Sequence, residues 1–316
     1  VGDTIYFSAI STLNQFSPAF TPPAQLWAHN TSNGTTYLAT DLNEVGKNMR
    51  NIYSSNQINW ATQRYSPLIG DTFYFTAEGN STSSYSSQYC QVAHTEIYAY
   101  NTANQTAWCV ADAGGVSSSG NPVDGEAGDT MLLNLGDIVF FAAVGAAGCT
   151  STLHAHNVSN GTTWVVEYLG TIAGNNNGCL SDVGQGFTGF TTSDTLYFAA
   201  RAGVQGSATT TGSELWGYNI VNQTAWMVND TCPGWCDGVA NYDFHWAEAN
   251  GVLYIPVRES NGNGAQSLGI FNPPLPVTSS SSSGGSGSGG SGSGSSTGTS
   301  TTETFTFNLQ SLADYD

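Results

Sequence analysis

Apolar residues in this chain fall in short runs of strand length, rich in aromatic and β-branched types and bounded by Gly, Asn and Asp. No stretch carries apolar positions at sustained helical spacing between capping residues, so the pattern predicts an all-β protein. The runs also repeat. A first block reads Gly2-Asp3-Thr4-Ile5-Tyr6-Phe7 and returns as Gly70-Asp71-Thr72-Phe73-Tyr74-Phe75, Gly136-Asp137-Ile138-Val139-Phe140-Phe141, Ser193-Asp194-Thr195-Leu196-Tyr197-Phe198 and Asn250-Gly251-Val252-Leu253-Tyr254-Ile255. A second block follows each: Leu26-Trp27-Ala28-His29-Asn30, Ile97-Tyr98-Ala99-Tyr100-Asn101, Leu153-His154-Ala155-His156-Asn157, Leu215-Trp216-Gly217-Tyr218-Asn219 and Leu268-Gly269-Ile270-Phe271-Asn272. A third follows the first four only: Asn33-Gly34-Thr35-Thr36-Tyr37, Asn104-Gln105-Thr106-Ala107-Trp108, Asn160-Gly161-Thr162-Thr163-Trp164 and Asn222-Gln223-Thr224-Ala225-Trp226.

An apolar segment such as Met131-Leu132-Leu133 precedes each first block after the opening one, so each unit predicts about four short strands. The recurring Asp3, Asp71, Asp137 and Asp194 lie 57–68 residues apart. Four strands per unit is a propeller blade, and five units predict a five-bladed β-propeller over residues 1–276. A linear stack of β-units is the runner-up. Radial closure is preferred because it leaves few exposed edges in a chain with little protective lysine.

In this reading the ring is short of one strand at each end. Val1 leaves no room for a strand before the first block, and the fifth unit stops after Phe271-Asn272. Residues 277–302 are nearly all Ser, Gly and Thr, which is a linker. Within the tail, 303–316, Phe305, Phe307 and Leu309 alternate with Thr304, Thr306 and Asn308, the pattern of a strand with one buried face. Closure within the chain needs only a short loop. A 26-residue coil instead spans about 28 Å, which suits delivery of the strand to a neighbouring molecule. Donation in trans is therefore the expectation, with closure in cis second. Such a contact is head-to-tail and builds a filament of self-copies.

Composition narrows the setting. Only 9% of residues are charged, and five basic against 23 acidic residues give a net charge of −18. So little Lys and Arg cannot neutralise phosphates, which excludes nucleic acid and anionic membrane surfaces as main partners. No apolar run approaches the ~18 residues of a membrane span. No basic-then-apolar leader stands at the start, so an exported chain would begin at Val1 as a mature N-terminus. The six cysteines, Cys90, Cys109, Cys149, Cys179, Cys232 and Cys236, lack paired zinc spacing. Local disulfides Cys90–Cys109, Cys149–Cys179 and Cys232–Cys236 fit better and place the protein outside the cell.

The stretch Glu214-Leu215-Trp216-Gly217-Tyr218-Asn219, with Gln223-Thr224 and Val228-Asn229-Asp230 after it, resembles the ELWxxDGTxxGT repeats of extracellular, propeller-like proteins. Gly34-Thr35 and Gly161-Thr162 match the second Gly-Thr of that repeat, and Asp41, Asp112 and Asp230 its closing Asp. The resemblance covers roughly residues 1–272 and implies a propeller fold and an exported location, with no reaction attached. The repeat's first Asp-Gly-Thr is here an Asn without Gly-Thr, so no Asp-based metal loop carries over.

Candidate chemistry is sparse. The recurring first-block Asp suits turns at strand entrances better than catalysis, because a catalytic carboxylate is asymmetric among blades. Trp27, Tyr98 and Trp216, and likewise Tyr37, Trp108, Trp164 and Trp226, are expected as wedges between blades. His29 and His156 stand where Tyr100 and Tyr218 stand, while His94, His154 and His245 form no metal-ligand pattern. The acidic run at residues 124–129 lacks EF-hand alternation, and a structural calcium ion there is the alternative to no cofactor. No nucleophile elbow, phosphate loop or nucleotide fingerprint is present, so an enzyme is not expected. Glycosylation sequons occur at Asn30, Asn33, Asn80, Asn104, Asn157, Asn160, Asn222 and Asn229. A chain rich in Asn, Ser and Thr makes sequons by chance, but Asn33, Asn104, Asn160 and Asn222 share one turn in four units. The expected function is a structural subunit of an extracellular, glycosylated filament. The alternative is a secreted glycan-binding adhesin closed in cis.

Overall fold

The computed structural model describes residues 1–10, 24–40, 66–78, 95–111, 113, 132–143, 152–166, 180–181, 183–184, 189–202, 212–232, 236–239, 246–258, 266–273 and 308–311. Asn80, Cys90, Cys149, Cys179, His94, His245, Phe305, Phe307, the acidic run 124–129 and the linker lie outside the described residues.

The described strands form five antiparallel sheets in chain order, the five blades of a β-propeller. The first holds β1 (Thr4–Ile10), β2 (Ala24–Asn30) and β3 (Thr35–Thr40), and the second β4 (Leu68–Ile69), β5 (Thr72–Glu78), β6 (Thr95–Asn101) and β7 (Thr106–Ala111). The third holds β8 (Leu132–Leu135), β9 (Ile138–Ala143), β10 (Thr152–Asn157) and β11 (Thr162–Val165). In the fourth, β12 (Leu180–Ser181) and β13 (Gly189–Thr191) both pair with β14 (Thr195–Ala202), followed by β15 (Glu214–Asn219) and β16 (Thr224–Asn229). The fifth holds β17 (Ala247–Ala249), β18 (Val252–Arg258), β19 (Gln266–Phe271) and β20 (Asn308–Ser311). The sequence blocks are these strands.

Each middle blade is apolar on both faces because it is sandwiched. On β9, Val139 and Phe141 pack with Tyr74, Ile97 and Ala99 of the second blade. Phe140 and Ala142 of the same strand pack with Leu196, Phe198 and Trp216 of the fourth. Further buried clusters join the first blade to the second and the fourth to the fifth. Among the described residues, no such cluster joins the fifth blade to the first. Repeat positions show this directly: Phe73, Val139 and Leu196 are buried, whereas their first-blade equivalent Ile5 is 56% exposed. Phe75, Phe141 and Phe198 are likewise buried, and Phe7 is 37% exposed. On the fifth blade, Leu253, Ile255 and Val257 are buried while Val252, Tyr254 and Pro256 on the other face are half-buried.

The outer strands modify one expectation. Tyr37 and Trp108, expected as wedges, are 38% and 40% exposed, and Trp164 and Trp226 are half-buried. The outermost strand of a blade has less neighbour to pack against, so its aromatics lie along the rim. Of the second-block aromatics, Tyr98 and Trp216 are fully buried, as wedges should be, whereas Trp27 is half-buried.

The tail takes a place in its own chain. β20 pairs antiparallel with β19, with Ile270 opposite Asn308, Gly269 opposite Leu309 and Ser267 opposite Ser311. Within the single chain this is the cis position, and residues 303–307 of the tail lie outside the described residues.

Candidate functional site

Three sets of polar groups recur or converge. The first is at the strand entrances. The backbone carbonyls of Asp3, Asp71, Asp137 and Asp194 accept the amides of Thr31, Thr102, Val158 and Ile220 at 2.8–2.9 Å, tying each first strand to the turn after the second. The side chains of Asp3 and Asp137 also accept the hydroxyls of Ser32 and Ser159. These carboxylates face turns, not a shared cavity.

The second set is the turn between second and third strands. Asn33 Oδ1 accepts both the amide (3.0 Å) and the hydroxyl (2.7 Å) of Thr35, and Asn104, Asn160 and Asn222 do the same with Thr106, Thr162 and Thr224. The residue between is left-handed in all four, at Gly34, Gln105, Gly161 and Gln223. An Asx turn of this kind replaces backbone pairing at a tight reversal.

The third set is a buried clip in the fourth blade, which sequence reasoning read only as a repeat motif. Glu214 is fully buried; its Oε2 accepts the amide and hydroxyl of Thr231, both at 2.9 Å, and its Oε1 accepts the Gly238 amide at 3.0 Å. Asp237 holds Arg201 in a forked ion pair at 2.8–3.1 Å and accepts the Ser213 amide at 2.9 Å. The Cys232–Cys236 disulfide, expected from sequence, closes the same loop. Val239 then bridges to Val257, so the loop fastens the fourth blade to the fifth. Burial pushes the Glu214 carboxyl up to about 7, against the pull of its Thr231 and Gly238 donors. Glu96 occupies the equivalent position of the second blade and accepts the Ala113 amide at 2.9 Å. A buried carboxylate that accepts the Thr231 amide and hydroxyl and the Gly238 amide fastens a loop.

The histidines follow their repeat positions. His29 and His156 each set Nδ1 2.8 Å from the hydroxyl of a third-strand threonine, Thr36 and Thr163. His154 stacks on Phe141 at 5.4 Å, and burial holds its imidazole down at about 4. No group of three or more metal-ligating side chains occurs among the described residues. Cys109 is disulfide-bonded; Cys90, its expected partner, and the expected pair Cys149 and Cys179 lie outside the described residues.

No family model and no curated protein matches this chain. Solved structures similar to it are themselves diverse. TolB from Acinetobacter baumannii aligns over 84% of this chain and 48% of its own at 13% identity, with a TM-score of 0.41. The nidogen/laminin complex aligns over 86% and 72% at 10% identity (TM-score 0.40). The β-propeller domain of the Trilobed protease from Pyrococcus furiosus aligns over 86% and 66% at 8% identity (TM-score 0.44). The chain thus spans about half the length of TolB.

Proposed function

We propose that this chain is a structural subunit of an extracellular, glycosylated surface filament, joined head-to-tail by exchange of its C-terminal strand into the next subunit's fifth blade. One observation carries the reading. In the other blades a four-residue turn such as Thr31–Gly34 joins the strands that β19 and β20 represent in the fifth, yet here β19 ends at Phe271 and β20 begins at Asn308. A hairpin needs none of that length, whereas reaching an equivalent edge on another molecule does. An exchanged strand keeps the same ladder, so the cis register describes the groove the neighbour's strand would fill. The resemblance to ELW-type repeats supports the extracellular setting, and the dispersed, turn-bound carboxylates support a non-enzymatic role.

The second reading, a glycan-binding adhesin closed in cis, is favoured by the ladder within one chain. Shortening the linker to a hairpin-length turn separates the two. Filament growth should be lost and folded monomer retained, because the strand then reaches only its own edge. Electron microscopy of native material without filaments, or filaments that persist after shortening, would overturn the assembly reading.

A further inference from the structure

The structure assigns N-linked glycans to Asn33, Asn104, Asn160 and Asn222, and excludes them from Asn30, Asn157 and Asn229. The sorting lies in where each sequon hydroxyl points. In the first four, the Thr hydroxyl donates to the carboxamide of its own sequon Asn at 2.5–2.7 Å. In the other three it is held by a carboxylate of the fold. Ser32 donates to Asp3 at 2.5 Å, Ser159 to Asp137 at 2.9 Å and Thr231 to Glu214 at 2.9 Å. The Asn side chains divide the same way: Asn33, Asn104, Asn160 and Asn222 are exposed, whereas Asn30, Asn157 and Asn229 are half-buried.

An amide has one acceptor oxygen and two N–H donors. With Oδ1 carrying two donors from Thr, the carboxamide is held in place on a residue that is itself exposed. The turn is open at the next residue as well, since a Cβ built on Gly34 or Gly161 meets no atom within 4 Å. The co-reactant is a glycan carried on a lipid phosphate. Its anomeric C1–O bond breaks as Nδ2–C1 forms, one Nδ2 proton passes to a base on the transferase, and the lipid phosphate leaves with the bonding pair. The Asx turn spans two residues, while the competing carboxylates lie 29, 22 and 17 residues away in sequence. Exclusion of the three therefore acts on the folded blade, and four glycans line the rims of four successive blades.

The assignment rests on the extracellular placement proposed above. The test is site-resolved glycopeptide mass spectrometry of protein purified from its own cells, with thiol state measured on the same sample. Glycan on the four and bare peptide at Asn30, Asn157 and Asn229 is expected. Glycan at any of those three, or none on the four, overturns the assignment. Bare sequons with oxidised cysteines would do so while leaving export standing; bare sequons with free thiols would remove both. Crowding by a glycan three residues away is separated by Thr162→Val, which deletes the Asn160 sequon. Asn157 should stay bare in that variant and gain glycan when Asp137→Ala is added. Circular dichroism checks that both variants fold. Glycan at Asn157 in the single variant, or none in the double, overturns the carboxylate argument.

Discussion

Two glycines show how differently the same missing side chain can be used. Gly217 faces Trp226 across the β15–β16 ladder, and a Cβ there would lie 2.6 Å from the indole Cζ2. The equivalent pairs Ala99–Trp108 and Ala155–Trp164 carry alanine, so an indole can shift to admit a methyl group. Gly238 has no such freedom: its Cβ would meet Thr231 Oγ1 at 2.0 Å and both Glu214 oxygens at 2.4 Å. Gly217→Ala should therefore cost less than about 1 kcal/mol. Gly238→Ala should cost about 1–3 kcal/mol, because it parts a buried carboxylate from its donors. Urea unfolding of the two variants checks the difference, and equal losses would contradict it.

Within the elements, two buried titratable groups give stability opposite slopes with pH. Burial raises the Glu214 carboxyl to about 7, so the folded state holds the proton more tightly than the unfolded chain. Its contribution is fully present below the ordinary carboxyl range and is lost as pH rises through about 7. Burial lowers His154 to about 4, so the folded state releases its proton more readily. That contribution is present above the ordinary imidazole range and is lost as pH falls from about 6.5 through about 4. His154→Phe, which keeps an aromatic against Phe141, should gain stability relative to the parent as pH is lowered across that window. The Glu214 contribution declines from the ordinary carboxyl range up to about pH 7 and changes no further above it. Thermal melts at pH 4–8 for both proteins read the slopes, and a His154→Phe difference independent of pH would refute the assignment.

At the scale of the whole molecule, the faces at the two ends of the array set the behaviour. Ile5 and Phe7 present on the first blade what the other blades bury, and Val252, Tyr254 and Pro256 do so less completely on the fifth. Phe7→Asp should leave a folded protein with a small loss of stability, because that side is unpacked among the described residues. Phe141→Asp, at the equivalent position inside the array, buries an unpaired charge and should unfold it. Near-ultraviolet circular dichroism distinguishes the two. Unfolding by Phe7→Asp would mean that the seam is closed by packing.

The sequence by itself determined the repeat, the strands and the blade count, since each block carries its own turn residues and a short run of aromatic and β-branched residues that local chemistry makes a strand. The Cys232–Cys236 bridge and the shared Asn turn were legible for the same reason: their partners lie within a few residues. Tertiary structure decided everything that depends on distant partners. Glu214 looks like one letter of a repeat until Thr231 and Gly238 enclose it. Tyr37 and Trp108 share the aromatic signal of Tyr98 and Trp216, and only their place on the outer strand leaves them exposed. Eight sequons are equal in sequence; Asp3, Asp137 and Glu214 divide the described ones by taking three hydroxyls from across the blade. The tail's pattern announces a strand but not its edge, because an antiparallel ladder has the same chemistry whichever molecule supplies it.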